Sequence, residues 1–384
     1  MLMRSYSFPI VTLALMACLI LAVVPERGSA AAGGTTPQLN AFLFKTMPQD
    51  YGALEKLFAS LKRRGANAVI IPASAKGPLA FADFLPNVVF LAHQSMLRVY
   101  VIIPVRDRPA VLKKFPAWED LQYDLTSGTR QPTGKLDLFN PDATRYLVRA
   151  FKEVATYSVD GILLGEDFYF SDIDCMTTVV LEKYKDKYNK AFVPGKAIAK
   201  VGMDKHGPVS LAYGEGFTEW AALKRDRLIE VLQEIMTAAR KVNRNITFGV
   251  PLHGPGLASP RAALSKYAYD MKSFGAVNVD YYWIAIPHRE IRRRDRLSFK
   301  KTMEVFAQTS QAAVSAVQDP HKTVIVLQAT YLSGRTLPYS EIEEVAALAK
   351  QEKEVGIALM LRSDRLLPKA LTKKLFRNKK TTDQ

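Results

Sequence analysis

The sequence predicts a single-domain (β/α)8 barrel, and two observations carry that prediction. Eight short apolar runs recur along the chain, separated by amphipathic segments of helical period. Each run is continuous rather than alternating, as expected for parallel strands that are buried on both faces. Strand alternating with helix implies right-handed crossovers and a parallel sheet, and eight such units fit a closed barrel with insertions.

The predicted strands are residues 39–44, 67–72, 98–104, 159–164, 246–251, 281–287, 323–328 and 356–361. The clearest helical segments are residues 51–64, 142–156, 218–242, 298–317 and 340–354. Asn140 and Pro141 are a cap residue and a first-turn proline, which mark the start of the second of these helices. A doubly wound open sheet is the alternative, and it is disfavoured because no glycine-rich phosphate-binding turn follows the first strand.

The N-terminal residues are typical of an export signal. Arg4 precedes an apolar run over residues 8–24, and small residues follow, with Ala30 or Ala32 as the cleavage position. The sequence therefore predicts a signal peptide at 1–32 and a protein of the periplasm or cell surface. An uncleaved membrane anchor is the alternative, because the run is near the lower limit for spanning a bilayer.

The rest of the chain divides into a linker at 33–38, the barrel at 39–368 and a basic tail at 369–384. Removal of the signal peptide would leave Cys175 as the only cysteine, so no intrachain disulfide is expected. Export without disulfides is typical of a bacterial envelope protein rather than of a small secreted domain stabilised by disulfides.

The chain is strongly basic, with 53 Lys and Arg against 37 Asp and Glu and a net charge of +16. On an exported protein this charge favours an anionic envelope surface as a partner and disfavours nucleic acid. A solvated basic surface without a partner is the alternative. The densest basic run is 289–296. The oligomeric state stays open.

Active sites of (β/α)8 barrels lie at the carboxyl ends of the strands, so the residues that follow each strand are the candidates. Strand four is followed by Glu166, Asp167 and Asp172, which we predict to be catalytic. Carboxylates that share a dry site repel one another, so one pKa is expected to rise. The raised carboxyl can protonate a glycosidic oxygen while a second carboxylate acts as base or nucleophile. Regular strand geometry would direct the adjacent Glu166 and Asp167 to opposite faces, so only one of them should face the barrel interior unless the chain curls there.

Polar and aromatic side chains near the other strand ends are candidates for substrate binding. Arg106 and Asp107 follow strand three, and we assign the binding role to the arginine. The full predicted substrate-binding set is Arg106, Trp220, His253, Trp283, His288, Gln328 and Asp364. No His-Glu-x-x-His spacing or Cys/His set occurs, so we predict no metal and no cofactor.

Two segments carry a family resemblance. L-D-L-F-N-P at 136–141, followed by V-D-G-I-L-L-G-E-D at 159–167, resembles the C-terminal barrel domain of the bacterial biofilm poly-β-1,6-N-acetylglucosamine deacetylase/hydrolase family. Phe170-Ser171-Asp172, Trp220 with Lys224, and the ends of strands six and seven extend the resemblance over most of the barrel. It implies a (β/α)8 barrel that acts as a glycoside hydrolase on an N-acetylglucosamine-type exopolysaccharide.

The resemblance implies that the family's acidic pair corresponds to Glu166 and Asp167, with Asp172 as a supporting carboxylate. Around this pair the chain departs from the family pattern at three positions. Gly165 stands where the family has histidine, Glu166 where it has aspartate and Phe168 where it has alanine. Asp167 is kept and is the main catalytic candidate. No segment of the sequence resembles the family's N-terminal deacetylase domain. A catalytically inactive barrel that binds polysaccharide or assists its export is the alternative function.

Overall fold

Eight parallel strands close into a barrel in the computed structural model, which describes residues 38–44, 47–73, 84–204, 207–257, 260–331, 333–351, 354–361 and 367–376. In order around the barrel, the strands are β1 (Asn40–Phe44), β2 (Ala68–Pro72), β3 (Arg98–Ile103), β6 (Gly161–Leu164), β9 (Thr247–Pro251), β10 (Tyr281–Ile286), β11 (Thr323–Gln328) and β12 (Gly356–Leu361). Pairing of β12 with β1, from Asn40↔Ile357 to Phe44↔Leu361, closes the sheet. All eight predicted strands are confirmed, and their ends lie within two residues of the predicted ones.

The two long insertions each contain a β-hairpin that the sequence did not predict. Strands β4 (Glu119–Tyr123) and β5 (Arg130–Leu136) pair after β3, and β7 (Ile198–Asp204) and β8 (Gly207–Tyr213) pair after β6. Both hairpins therefore belong to loops at the carboxyl end of the barrel, where a substrate surface is built.

Helices connect the strands on the outside of the barrel. They are α1 (Tyr51–Arg63), α2 (Leu85–Gln94), α3 (Pro109–Lys114), α4 (Pro141–Thr156), α5 (Thr178–Tyr188), α6 (Pro194–Ala197), α7 (Phe217–Arg240), α8 (Gly254–Leu257), α9 (Pro260–Tyr267), α10 (Met271–Gly275), α11 (His288–Arg294), α12 (Phe299–Val317), α13 (Tyr339–Ala349) and α14 (Lys369–Phe376). The predicted start of α4 is confirmed, because the Asn140 side chain accepts the N–H groups of Asp142 and Ala143 at 2.9 and 3.2 Å.

The barrel interior is a packed layer of side chains rather than a pore. Tyr100 and Tyr281 meet edge to face there with ring centroids 5.8 Å apart. Gly161 makes room for this pair, because a Cβ at that position would lie 2.4 Å from the Tyr100 ring. The interior is closed below by these rings, so any ligand space lies above them at the carboxyl end.

Helix α14 falls within the segment that we predicted as a basic tail. Its Leu371, Leu375 and Phe376 are buried, and the Phe376 ring meets that of Phe42 in β1 with centroids 5.5 Å apart. The described part of the segment is thus packed on the barrel, which corrects the predicted domain end at 368. Leu371 and Leu375 lie one helical turn apart and form an apolar face that packs on the barrel, while the lysines between them are exposed.

Within the described residues, no helix combines the length and the apolar character that crossing a bilayer requires. The predicted signal peptide and most of the predicted linker lie outside the described residues.

Candidate active site

Two adjoining cavities open at the carboxyl ends of the strands and form one groove. The first measures about 870 Å³ and has an apolar floor that includes Leu43, Trp283 and Met360. The second measures about 560 Å³, with Lys135, Tyr169, His253 and Tyr267 in its wall. Both cavities are lined by the same three carboxylates, Asp107, Glu166 and Asp167. Two of the three carboxylates predicted after strand four, Glu166 and Asp167, therefore lie where the cavities meet.

Asp167 is held by the backbone of the loop that follows β3. Its Oδ2 accepts the N–H groups of Val105 at 2.9 Å and of Arg106 and Asp107 at 2.6 Å, and its Oδ1 lies 3.1 Å from the Val105 nitrogen. Backbone donors cannot rotate away as side chains do. The Asp167 carboxylate is thus fixed in position between the ends of two neighbouring strands.

Gly165 makes this arrangement possible. A Cβ at position 165 would lie 2.4 Å from Asp167 Oδ1 and 3.0 Å from the Cα of Pro104, distances at which something must shift. The resembled family has histidine here, and no side chain fits this position while Asp167 occupies its backbone cradle. The glycine and the cradled aspartate therefore form one local design.

The chain curls as soon as β6 ends, which is the exception under which Glu166 and Asp167 were not expected to face opposite ways. The Phe168 N–H donates to the Gly165 carbonyl at 3.0 Å, which makes a tight turn. As a result both carboxylates line both cavities. Glu166 and Asp107 are exposed, whereas Asp167 is half-buried.

Asp172 lies elsewhere. It is absent from the lining of both cavities, and its Oδ2 accepts a hydrogen bond from the Tyr213 hydroxyl of β8 at 3.1 Å. Burial, together with the Asp172 charge, raises the pKa of Tyr213 to about 12. The Asp172 side chain therefore fastens the β7–β8 hairpin and lines neither cavity, which does not support its predicted catalytic role.

Arg106 is completely buried, so its predicted contact with substrate is corrected as well. Its guanidinium forms ion pairs with Asp120 at 2.6 Å and Asp174 at 2.8 Å, and lies 4.5 Å above the Phe170 ring. Burial raises the pKa of Asp120, against the charge of Arg106. Although burial would also raise the pKa of Asp174, Arg106 and the Ser171 hydroxyl lower it to about 2. This ion cluster joins the loops after β3 and β6 from below.

Trp220 is a core residue rather than a sugar platform. Its indole is 0% exposed and stacks on the Phe192 ring, with centroids 4.0 Å apart and an angle of 8°. Lys224, one helical turn later, is also fully buried and donates from Nζ to the carbonyls of Ser171 and Asp172 at 2.6 and 3.2 Å. Both residues support the loop after β6 from beneath.

His253 and Trp283 are the two predicted binding residues that the structure brings to the groove. The His253 ring stacks on Tyr267, with centroids 4.5 Å apart and an angle of 5°, and meets the edge of Tyr169 at 4.9 Å. Burial lowers the pKa of His253 to about 4, assisted by the charge of Lys135, so the imidazole is neutral near pH 7. The Trp283 indole N–H donates to the Leu164 carbonyl at 3.2 Å and forms part of the floor.

His288 and Gln328 are buried and lie outside both cavities, which corrects their predicted binding roles. His288 Nε2 pairs with a Glu341 carboxylate oxygen at 2.7 Å. Gln328 donates to the Thr330 carbonyl at 3.0 Å and accepts the Arg289 N–H at 3.3 Å. They organise the exits of β10 and β11. Asp364 lies outside the described residues.

Among the residues of the second cavity, Asp107, Lys135, Tyr169 and Tyr267 were not predicted as site residues. Asp107 is adjacent to Arg106, and the sequence offered both residues at the same strand exit. Lys135 comes from the unpredicted β4–β5 hairpin and Tyr267 from the end of α9, so no strand-end rule points to either. Within the described residues, no three His, Cys, Asp or Glu side chains gather as metal ligands would.

No family profile matches the chain, and no match was found among curated proteins. Solved structures do match. The PgaB (BpsB) glycoside hydrolase domain from Bordetella bronchiseptica is similar over 84% of this chain and 94% of its own, with a TM-score of 0.65 and 14% identity. The catalytic domain of β-amylase from Paenibacillus polymyxa is similar over 88% and 95%, with a TM-score of 0.55 and 13% identity.

A β-galactosidase from the psychrophilic Marinomonas ef1 is similar over 84% of this chain and 54% of its own, with a TM-score of 0.56 and 10% identity. At these identities the likeness shows the fold. The chain is therefore a (β/α)8 barrel of the architecture found in glycoside hydrolases. The resemblance that the strand-four segment predicts is confirmed at the level of that fold.

Substitution of Gly165 by alanine tests the cradle. The added methyl would displace the Asp167 carboxylate, and overpacking of this kind costs about 1–3 kcal/mol in the free energy of unfolding. We expect urea denaturation to show that loss for Gly165→Ala. Gly52→Ala is the control, because its Cβ would meet nothing nearer than 3.5 Å in α1. Equal stability of both variants and the native chain would contradict the cradle.

Replacement of Asp174 by asparagine tests the ion cluster below the groove. Its folded pKa of about 2 lies under the unfolded value of ~3.9, so the carboxylate stabilises the fold above pH ~4 and loses that effect as the pH falls towards ~2. Breaking a buried pair costs about 3–5 kcal/mol. We expect Asp174→Asn to lower the free energy of unfolding near neutral pH, and the difference from the native chain to shrink on acidification.

Asp142→Asn is the control for this measurement, because its pair with Arg145 is exposed and such pairs contribute about 0–1 kcal/mol. A deficit of Asp174→Asn that stays constant from neutral to acidic pH would show that the Asp174 charge does not stabilise the cluster.

Proposed function

We propose that this chain is a glycoside hydrolase that cuts an exopolysaccharide of the N-acetylglucosamine type. The observation that carries the proposal is the groove with three carboxylates, Asp107, Glu166 and Asp167, at the carboxyl end of a glycoside-hydrolase-like barrel. Glycosidic bonds are hydrolysed by pairs of carboxyl groups that flank the bond, and aromatic rings beside them hold the sugars.

The environments of the carboxylates suggest different roles. Asp167, fixed by three backbone N–H donors, is suited to face the positive charge that develops on the anomeric carbon. Glu166 is exposed at the junction of the two cavities and is suited to protonate the leaving glycosidic oxygen. Once that carbon–oxygen bond breaks, water adds to the anomeric carbon and its proton passes to a carboxylate. Asp107, which also lines both cavities, is the second candidate for this proton transfer.

The groove walls support a polymer rather than a small sugar as substrate. Trp283 and Met360 lie in one cavity, and Tyr169 and Tyr267 in the next, with the carboxylates between them. The two cavities measure about 870 and about 560 Å³, and each volume is larger than one sugar ring needs. A chain bound along both would pass the carboxylates at an internal bond, which corresponds to endo-cleavage.

Conservative substitutions test the carboxylates one by one. Loss of a general acid or base typically lowers the rate by about 10²–10⁴-fold, so we expect Asp167→Asn and Glu166→Gln to release reducing ends from poly-N-acetylglucosamine that much more slowly. Asp107→Asn shows whether the third carboxylate takes part. Asp172→Asn is the matched control, because that carboxylate binds Tyr213 outside the groove. Unchanged thermal unfolding confirms that the variants fold, and full activity of Asp167→Asn would refute its role.

A catalytically inactive barrel that binds polysaccharide or assists its export is the second candidate function. Gly165 favours it, because the histidine that the resembled family has beside its acidic pair is replaced here by a residue without a side chain. Retention of the polymer by the native protein without new reducing ends, after long incubation, would decide for this function.

Export to the periplasm or cell surface is part of the proposal, with the anionic envelope surface as a partner of the basic chain. We expect mass spectrometry of the protein recovered from its native host to find a mature N-terminus following Ala30 or Ala32. A chain that begins at Met1 and sediments with membranes would show instead that the apolar run is an uncleaved anchor.

A further inference from the structure

We infer that the barrel mouth beside β10 and β11 is a binding surface for an acidic polysaccharide, so that the polymer proposed to enter the groove carries negative charges. The inference rests on the proposed function and names the charge class of its substrate. Its centre is a cavity of about 410 Å³ on α11, lined by Arg289, Arg292, Arg293, Arg296 and Leu297. We call this the arginine cavity.

The arginine cavity has a net positive charge that nearby carboxylates do not balance. Segment 289–296 contains five arginines and two acidic residues, and neither acidic residue lines the cavity. Arg289 is paired with Glu341. Arg292, Arg293 and Arg296 make no ion pair to a carboxylate within the part of the chain that the structure describes, which leaves their guanidinium groups for an external anion.

The basic surface continues across an aromatic ring. Arg289 and Arg335 lie on Tyr331, with guanidinium carbons 5.5 and 5.0 Å from the ring centroid. Tyr331 and Arg335 line a further cavity of about 360 Å³ with Tyr339, whose side chain is 50% exposed. Alternating aromatic faces and guanidinium groups suit an acidic sugar. The sugar ring can stack on an aromatic face while the sugar's carboxylate accepts paired N–H donors from an arginine.

This surface adjoins the groove. Helix α11 begins two residues after β10, the strand that provides Trp283 and Ala285 to the groove floor. On the other side, Arg294 is close enough to Tyr267 of the second cavity for its charge to oppose the rise in pKa that burial causes in that phenol. Arg294 lies on α11, the helix that also carries the arginine cavity, so the second cavity and the arginines are neighbours at the barrel mouth.

The side chains of the surface favour a polysaccharide over a membrane. The arginines and Tyr331 line two shallow depressions, whereas a membrane-binding face inserts projecting apolar side chains into the headgroup region. Among the described residues of this surface, Tyr339 is the large apolar side chain that is exposed to solvent. A surface with so few exposed apolar side chains lacks the anchors that a bilayer takes up, while its guanidinium groups suit the carboxylates of a polymer.

The test compares two double variants that remove the same charge from opposite ends of the barrel. Arg293→Gln with Arg296→Gln removes two exposed arginines of the arginine cavity. Arg63→Gln with Arg244→Gln removes two exposed arginines at the end of α1 and just before β9, on the amino side of the strands. Each is made in the full chain, and calorimetry measures binding at about 50 and about 200 mM salt.

The probes differ in charge at similar length: hyaluronan oligosaccharides, which alternate N-acetylglucosamine and glucuronate, and neutral chitin oligosaccharides. Vesicles of phosphatidylglycerol test the membrane. We expect the native chain to bind hyaluronan at least about tenfold more tightly than chitin, a difference of about 1.4 kcal/mol. The cavity variant should lose about that factor at low salt and less at high salt, while the amino-side variant binds as the native chain does.

Equal binding of the two oligosaccharides, or equal effects of the two double variants, would overturn the inference. So would vesicle binding that the cavity variant abolishes when hyaluronan does not bind. The proposed hydrolysis fails separately. If an acidic polymer binds through these arginines and is never cut, the binding surface is supported and the proposed hydrolysis is refuted. If a neutral polymer is cut, and the cavity variant cuts it normally, the hydrolysis is supported and the binding surface is refuted.

Discussion

The candidate site depends on how the loop after β3 is bound to the loop after β6. Residues 105–107 serve both sides of this junction. Their backbone N–H groups hold Asp167 from above, and the Arg106 side chain turns beneath to pair with Asp120 and Asp174. The groove carboxylates thus stand on two strand ends fastened by charge-assisted hydrogen bonds, which is the rigid support that catalytic geometry requires.

The barrel could be predicted because its strands leave a local signature, whereas the site depends on details that sequence does not specify. Strands buried on both faces read as continuous apolar runs wherever they occur. At the exit of β3, however, a shift of one residue decides whether Arg106 or Asp107 faces the groove, and the strand pattern has already ended at Ile103. Trp220 illustrates the other limit: an aromatic residue looks the same in sequence whether it stacks on a sugar or on Phe192.

Gly165 gives a physical meaning to the difference between this chain and the family that it resembles. A missing histidine, taken alone, suggests lost chemistry. The structure shows a second effect of the same change, because the space left by the absent side chain is what lets Asp167 reach the amides of the β3 loop. The replacement therefore alters how the retained aspartate is held, in addition to removing an imidazole from beside it.

The charges around the groove act in opposite directions, and their arrangement has a consequence for binding. Three carboxylates at the centre repel an acidic polymer, whereas the arginine cavity at the edge attracts it. Screening limits each effect to about 8–10 Å at physiological salt, so attraction at the edge can offset repulsion at the centre only for a chain long enough to touch both. Binding energy from sugars at the arginine cavity can then offset the repulsion of a charged sugar beside the carboxylates. The rate of bond cleavage should therefore be higher for long polymers than for short fragments.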